Sequence, residues 1–147
     1  MLRIILGVIA GFVAWSILWI GSDQALMSFS PDWYGAHQHA FAGAMTNKTP
    51  FMPDSTILLM HLFRAAIITI IAGFLAAVVA TENRKAPLAL GILLLVVGIM
   101  FEAMAWSYLP IWYHLTFLVI LIPLTVIGGR MKPTAGVIPS RDFAGTD

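Results

Sequence analysis

Four long apolar runs dominate the chain, parted by one sizeable loop after the first and by short polar or proline-bearing breaks after the second and third. They cover about 4–21, 56–80, 87–108 and 111–128, and each matches the roughly 20 helical residues that cross a hydrocarbon core about 30 Å thick. The pattern predicts an all-α membrane protein with four transmembrane helices in an antiparallel bundle, N-in/C-in. Residues 1–129 form one transmembrane domain, and 130–147 form a polar cytoplasmic tail rich in Pro and Gly. A cleaved signal peptide is the competing reading of the first run. The length of that run, and the lack of a prompt small-x-small cleavage site after it, favour a retained span.

The breaks carry their own signals. Gly21-Ser22-Asp23 ends the first run and opens an outer loop over 22–55. Within that loop Ser30-Pro31-Asp32 reads as a helix start, with a cap, a proline in the first turn and an acid beside it. Trp33, His37, Phe41 and Met45 then recur every four residues, which predicts a short helix lying on the membrane surface or over the bundle mouth. Asp54 or Ser55 can cap the second span, Pro87 suits the first helical residue of the third, and Leu109-Pro110-Ile111 makes a tight hairpin. Pro123 should disturb the fourth span, and Gly128-Gly129 should end it.

Composition sharpens this picture. The 147 residues are 60% hydrophobic and only 10% charged, well below the roughly 25% charged content of a soluble domain. Arg3, Arg84, Lys85, Arg130, Lys132 and Arg141 fall on one side of a four-span topology, whereas Lys48 stands alone on the other. That asymmetry predicts both termini in the cytoplasm of a multi-pass protein of the bacterial inner or plasma membrane. Trp19, Trp33, Tyr34, Trp106, Tyr108, Trp112 and Tyr113 crowd the opposite boundary as an aromatic belt. The basic residues are too sparse for a nucleic-acid surface, and the absence of cysteine excludes disulfides and thiolate sites.

Polar residues inside the apolar runs are the candidate chemistry. Counted from the basic ends, Arg64, Glu102 and His114 lie roughly 30, 26 and 24 Å along their helices, with His61 one turn beyond Arg64. Similar depth and the cost of an unpaired charge in lipid predict a polar cluster of His61, Arg64, Glu102 and His114, centred on an Arg64–Glu102 pair. Gly7 and Gly11 in the first span, and Gly91 and Gly98 below Glu102 in the third, are candidate helix-packing positions.

Function is far less determined. No phosphate loop, nucleophile triad or zinc-protease motif occurs, and no cofactor is predicted. Thr81–Lys85 could bind a phosphate or lipid headgroup, or form a solvated turn. A non-catalytic accessory or assembly subunit of a membrane complex is the leading expectation, with the bilayer, other subunits or further copies of the chain as partners. The alternative is a small oligomeric transporter or a ligand or proton carrier built on the Arg-Glu-His cluster. A second alternative uses His61 and His114 as haem ligands, or His37 and His39 for copper or zinc.

Overall fold

The computed structural model describes residues 1–133, and all but a few residues of the tail expected over 130–147 lie outside that range. Its elements are α1 (Leu2–Phe29), a π-helical turn (Pro31–Gly35), α2 (Ala36–Asn47), α3 (Ser55–Ala80), α4 (Lys85–Ala105) and α5 (Ile111–Arg130). α1, α3, α4 and α5 are each long and apolar enough to cross a membrane. The chain is a multi-pass membrane protein, an all-α bundle of four spans with one short additional helix, α2.

α1 differs from expectation. It does not stop at Gly21 but continues to Phe29, 28 residues in all. That is about 42 Å at the rise of an α-helix, so its last turns reach beyond a hydrocarbon core. Gly21 and Ser22 are poor helix formers but not breakers, and the Ser22 hydroxyl bonds back to the Trp19 carbonyl at 3.1 Å. The helix ends only where Ser30 leaves helical geometry ahead of Pro31. The first part of the supposed loop over 22–55 is therefore helix, and Asp23 sits on it.

The other termini follow local chemistry. The Asp54 carboxylate accepts from Thr56 N at 2.7 Å and Ile57 N at 3.4 Å, capping α3. α2 and α3 both end on residues in left-handed geometry, Lys48 and Thr81. In the α3–α4 turn, Glu82 reaches forward to accept from the backbone N–H groups of Arg84, Lys85 and Ala86. That one-sided cap starts α4 at Lys85, two residues before Pro87, which rests in the first turn where no hydrogen bond is lost. The polar Thr81–Lys85 segment is thus a capping device.

α3 is the centre of the bundle. It packs against α1 on one side and α5 on the other, while α4 packs on α5 and closes the ring against α1. Small residues permit this closeness. A methyl group added at Gly7 would meet the Ala76 carbonyl at 2.5 Å, and one at Gly11 would lie 3.0 Å from both the Ala72 carbonyl and Ala76. Gly91 and Gly98 face α5, with Ile122 and Leu121 each 3.1 Å from where a methyl would stand. The most intimate crossing is elsewhere, where Gly73 meets the Thr125 backbone and Gly128 meets the Ile70 carbonyl. Gly128 and Gly129 are therefore packing residues inside α5 and do not end it. α5 also runs unbroken through Pro123. The broad apolar exterior, including Ile9, Val13, Phe63, Ile92, Leu115 and Val119, is what a lipid-facing surface requires.

Candidate functional site

Near the α2 end of the bundle the buried polar residues gather in two groups. The first is built around Arg64 on α3, only 8% exposed. Its Nη1 donates to Asp23 Oδ1 on α1 at 3.0 Å and to the Tyr34 hydroxyl at 3.1 Å. The guanidinium also lies over the Trp19 ring, its carbon 4.5 Å from the ring centroid. The π-helical turn carries Tyr34 into this position, where it is wholly buried and its hydroxyl donates to Asp23. Burial first, and then the Asp23 carboxylate, push the Tyr34 phenol up to about 12, so it remains a proton donor at any ordinary pH.

His61 completes the group. Its Nε2 is 2.9 Å from the Tyr34 hydroxyl and 2.8 Å from the Gln38 side-chain amide. The single phenolic hydrogen goes to Asp23, so the Tyr34 oxygen is left to accept, and Arg64 donates to it.

The second group joins α4 to α5. His114, fully buried, contacts the Glu102 carboxyl through Nδ1 and the Leu109 carbonyl through Nε2 at 3.1 Å. A carbonyl accepts only, so Nε2 carries a hydrogen. One further proton must then lie between Nδ1 and Glu102, and the pair is electrically neutral in sum wherever that proton sits. Trp106 stacks on the imidazole at 4.7 Å between ring centroids.

Both groups border one cavity of about 630 Å³. Its walls are mainly aromatic and aliphatic, including Phe12, Trp15, Trp19, Phe101, Met104 and Phe117. α2 lies across it and contributes His37, Gln38, Phe41 and Met45. Two of the residues that line it carry buried polar atoms with no hydrogen bond: Arg64 at Nε and Nη2, and His37 at Nδ1. His37 Nε2 accepts from the Asp54 backbone N–H at 3.1 Å, which leaves the hydrogen of a neutral ring on Nδ1. Burial holds the His37 pKa below its ordinary value, against a smaller opposing pull from Asp54, so the ring is neutral at neutral pH.

All four residues of the expected cluster, His61, Arg64, Glu102 and His114, lie at this end of the bundle, but their pairing differs from expectation. Arg64 is held by Asp23, and Glu102 by His114, in place of a direct Arg64–Glu102 pair. The physical reason is the unbroken α1, which brings a carboxylate to the α3 face that Arg64 occupies. The sequence reading missed Asp23, Tyr34 and Gln38, although Trp15, Trp19 and Asp23 share a four-residue spacing that places them on one helix face. The structure does not bring His37 and His39 together as ligands. His37 serves Asp54, His39 is exposed, and no three metal-ligating side chains converge among the described residues. His114 has both ring nitrogens engaged and His61 is committed to Tyr34 and Gln38, an arrangement unlike an open haem-ligand pair. No family model, curated protein or solved structure matches the chain.

Proposed function

We propose that this protein is a small membrane-resident binding protein that takes an amphipathic ligand into the cavity beneath α2, as a carrier or receptor. The observation that carries this reading is Arg64. A guanidinium more than nine-tenths buried, with two of its nitrogens unpartnered, is costly unless something else supplies acceptors. The apolar walls around it suit a hydrocarbon or aromatic body, and the volume falls within the range of small-molecule sites, about 300–1,000 Å³. The reading is N-in/C-in, which puts the cavity and α2 at the non-cytoplasmic face. Reporter fusions after Lys48 and at the C-terminus test this orientation. Lys48 reports outside and the C-terminus inside, and a cytoplasmic signal at Lys48 overturns it.

Binding is tested in lipid nanodiscs by titrating ten-carbon amphiphiles with carboxylate, phosphate, ketone or quinone heads. The readout is quenching of tryptophan emission, since Trp15 and Trp19 line the cavity. At least one class should quench saturably, and Ala105→Phe, which fills the cavity, should weaken that class about tenfold with little change in melting temperature. Only linear, unsaturable quenching by every class would defeat the reading. An accessory-subunit role has one observation in its favour, the uncovered α1 face of Ile9, Val13, Ile17 and Ile20. Bilayer lipid covers such a face equally well.

A further inference from the structure

We infer that the ligand of this cavity is a neutral, quinone-like amphiphile with two separated carbonyl acceptors, one for Arg64 and one for His37. This rests on the binding reading above and deepens it. Three observations lead to it: the sign of the unpartnered groups, their number, and the charge balance of the wall.

The unpartnered buried atoms on the residues that line the cavity are all donors. Arg64 Nε and Nη2 can only donate, and His37 Nδ1 carries the ring hydrogen because Nε2 is already accepting from Asp54 N. A ligand that satisfies them brings oxygen lone pairs, not hydroxyl or ammonium hydrogens. The donors also come from two different elements. Arg64 stands on α3 and His37 on α2, and a ring with acceptors at two positions can serve both.

Charge decides between a carbonyl and a carboxylate. Arg64 is balanced by Asp23, and the shared proton makes Glu102 with His114 neutral in sum. With His37 neutral as well, a carboxylate would enter as one uncompensated negative charge inside a low-dielectric bundle, which is strongly disfavoured. A carbonyl accepts the same hydrogen bonds and brings no net charge. The walls suit a flat ring. Trp15 and Trp19 stack at 5.3 Å with planes 7° apart, and Phe117 meets Trp19 edge-on at 6.0 Å. Two aromatic shelves of this kind offer faces and edges to a ring of similar size.

The experiment compares three probes, each with a ten-carbon chain, against the full-length protein in nanodiscs: a 1,4-benzoquinone, a phenyl ketone with one carbonyl, and decanoate. Saturable tryptophan quenching and the shift in melting temperature are both recorded. The benzoquinone should bind at least tenfold tighter than the phenyl ketone, and decanoate weakest of the three at pH 7. His37→Phe keeps the packing against Phe51 and should reduce benzoquinone affinity about tenfold while leaving phenyl ketone affinity within twofold. If decanoate binds as tightly as the benzoquinone or tighter, the neutral-dicarbonyl inference falls while the binding reading stands. If the benzoquinone and phenyl ketone bind equally in the wild type, or His37→Phe weakens both alike, the two-acceptor inference falls on its own. If no probe binds saturably, both readings fall together. Should His37→Phe fail to fold, the wild-type ranking of the three probes still decides the matter.

Discussion

Removing one partner from the Arg64–Asp23 pair gives the most demanding test of the site. Asp23→Leu strands a guanidinium that is 9% exposed at the side chain, leaving it only the Tyr34 hydroxyl. Breaking a fully buried pair costs about 3–5 kcal/mol. The Asp23 side chain is 26% exposed, so water recovers part of that loss, and about 2–3 kcal/mol is expected. Arg64→Leu should cost a similar amount, because it leaves Asp23 and Tyr34 without their cation. The double substitution should restore about 2 kcal/mol relative to the sum of the singles, since two leucines leave no charge unpaired and pack well in a bilayer bundle. The assay is reversible unfolding by an increasing fraction of anionic detergent in mixed micelles, run on wild type, both singles and the double. A parallel cycle on Arg64 and Glu102, which share no hydrogen-bond partner, should show coupling of less than about 0.5 kcal/mol. Coupling to Glu102 larger than coupling to Asp23 would refute the pairing described here and restore the one expected from depth alone.

Other outcomes follow from the helix contacts and termini. Gly128→Ala drives a methyl group into the Ile70 carbonyl and should destabilise by about 2–3 kcal/mol, whereas Gly43→Ala meets nothing within 4 Å and should stabilise α2 by about 0.5–1 kcal/mol. Both are read by the same unfolding assay. Tyr34→Phe should cost about 1–2 kcal/mol and shorten amide exchange protection in the π-helical turn, because Asp23 and His61 each lose a partner. Burial of Glu82 opposes its ionisation, but three backbone N–H groups and Lys85 outweigh it and hold its pKa below the ordinary carboxylate value. A depressed folded-state pKa stabilises above the unfolded value, and that contribution is lost as pH falls through the folded one. Glu82→Gln should therefore cost about 1 kcal/mol at pH 7, and that cost should shrink as pH falls below the ordinary carboxylate range. A cost independent of pH would show that the cap does not depend on charge.

Much of this architecture is legible in the residues, and the gaps have physical causes. Run length and hydropathy identify the four spans because an unbroken apolar run of about 20 residues satisfies its own backbone in lipid only as a helix. The four-residue spacing of Trp33, His37, Phe41 and Met45 likewise anticipates α2. What depth counting cannot supply is azimuth. Arg64 and Glu102 stand at similar heights, yet height does not say which neighbour each side chain faces. Gly21-Ser22-Asp23 looks like a stop only because helix propensity is low there, and tertiary contacts from Asp23 and Tyr34 override it. Glu102 and His114 flank the α4–α5 turn, a symmetry readable from the chain once the turn is placed. Gly128-Gly129 carries the opposite lesson, since a glycine pair late in a helix can serve close approach as easily as termination.

The order in which the charges are synthesised gives the pairing a consequence for membrane insertion. Asp23 precedes Arg64 by 41 residues, so α1 is already in the bilayer with its acid near the surface when α3 emerges. An unpaired arginine inside a span is costly, less so toward the end where Arg64 stands, and α3 meets its counter-charge on arrival. Glu102 has no such predecessor. Its partner, His114, comes 12 residues later and on the next span. α4 therefore lacks its proton-sharing neighbour until α5 follows it, which favours entry of α4 and α5 together as one helical hairpin.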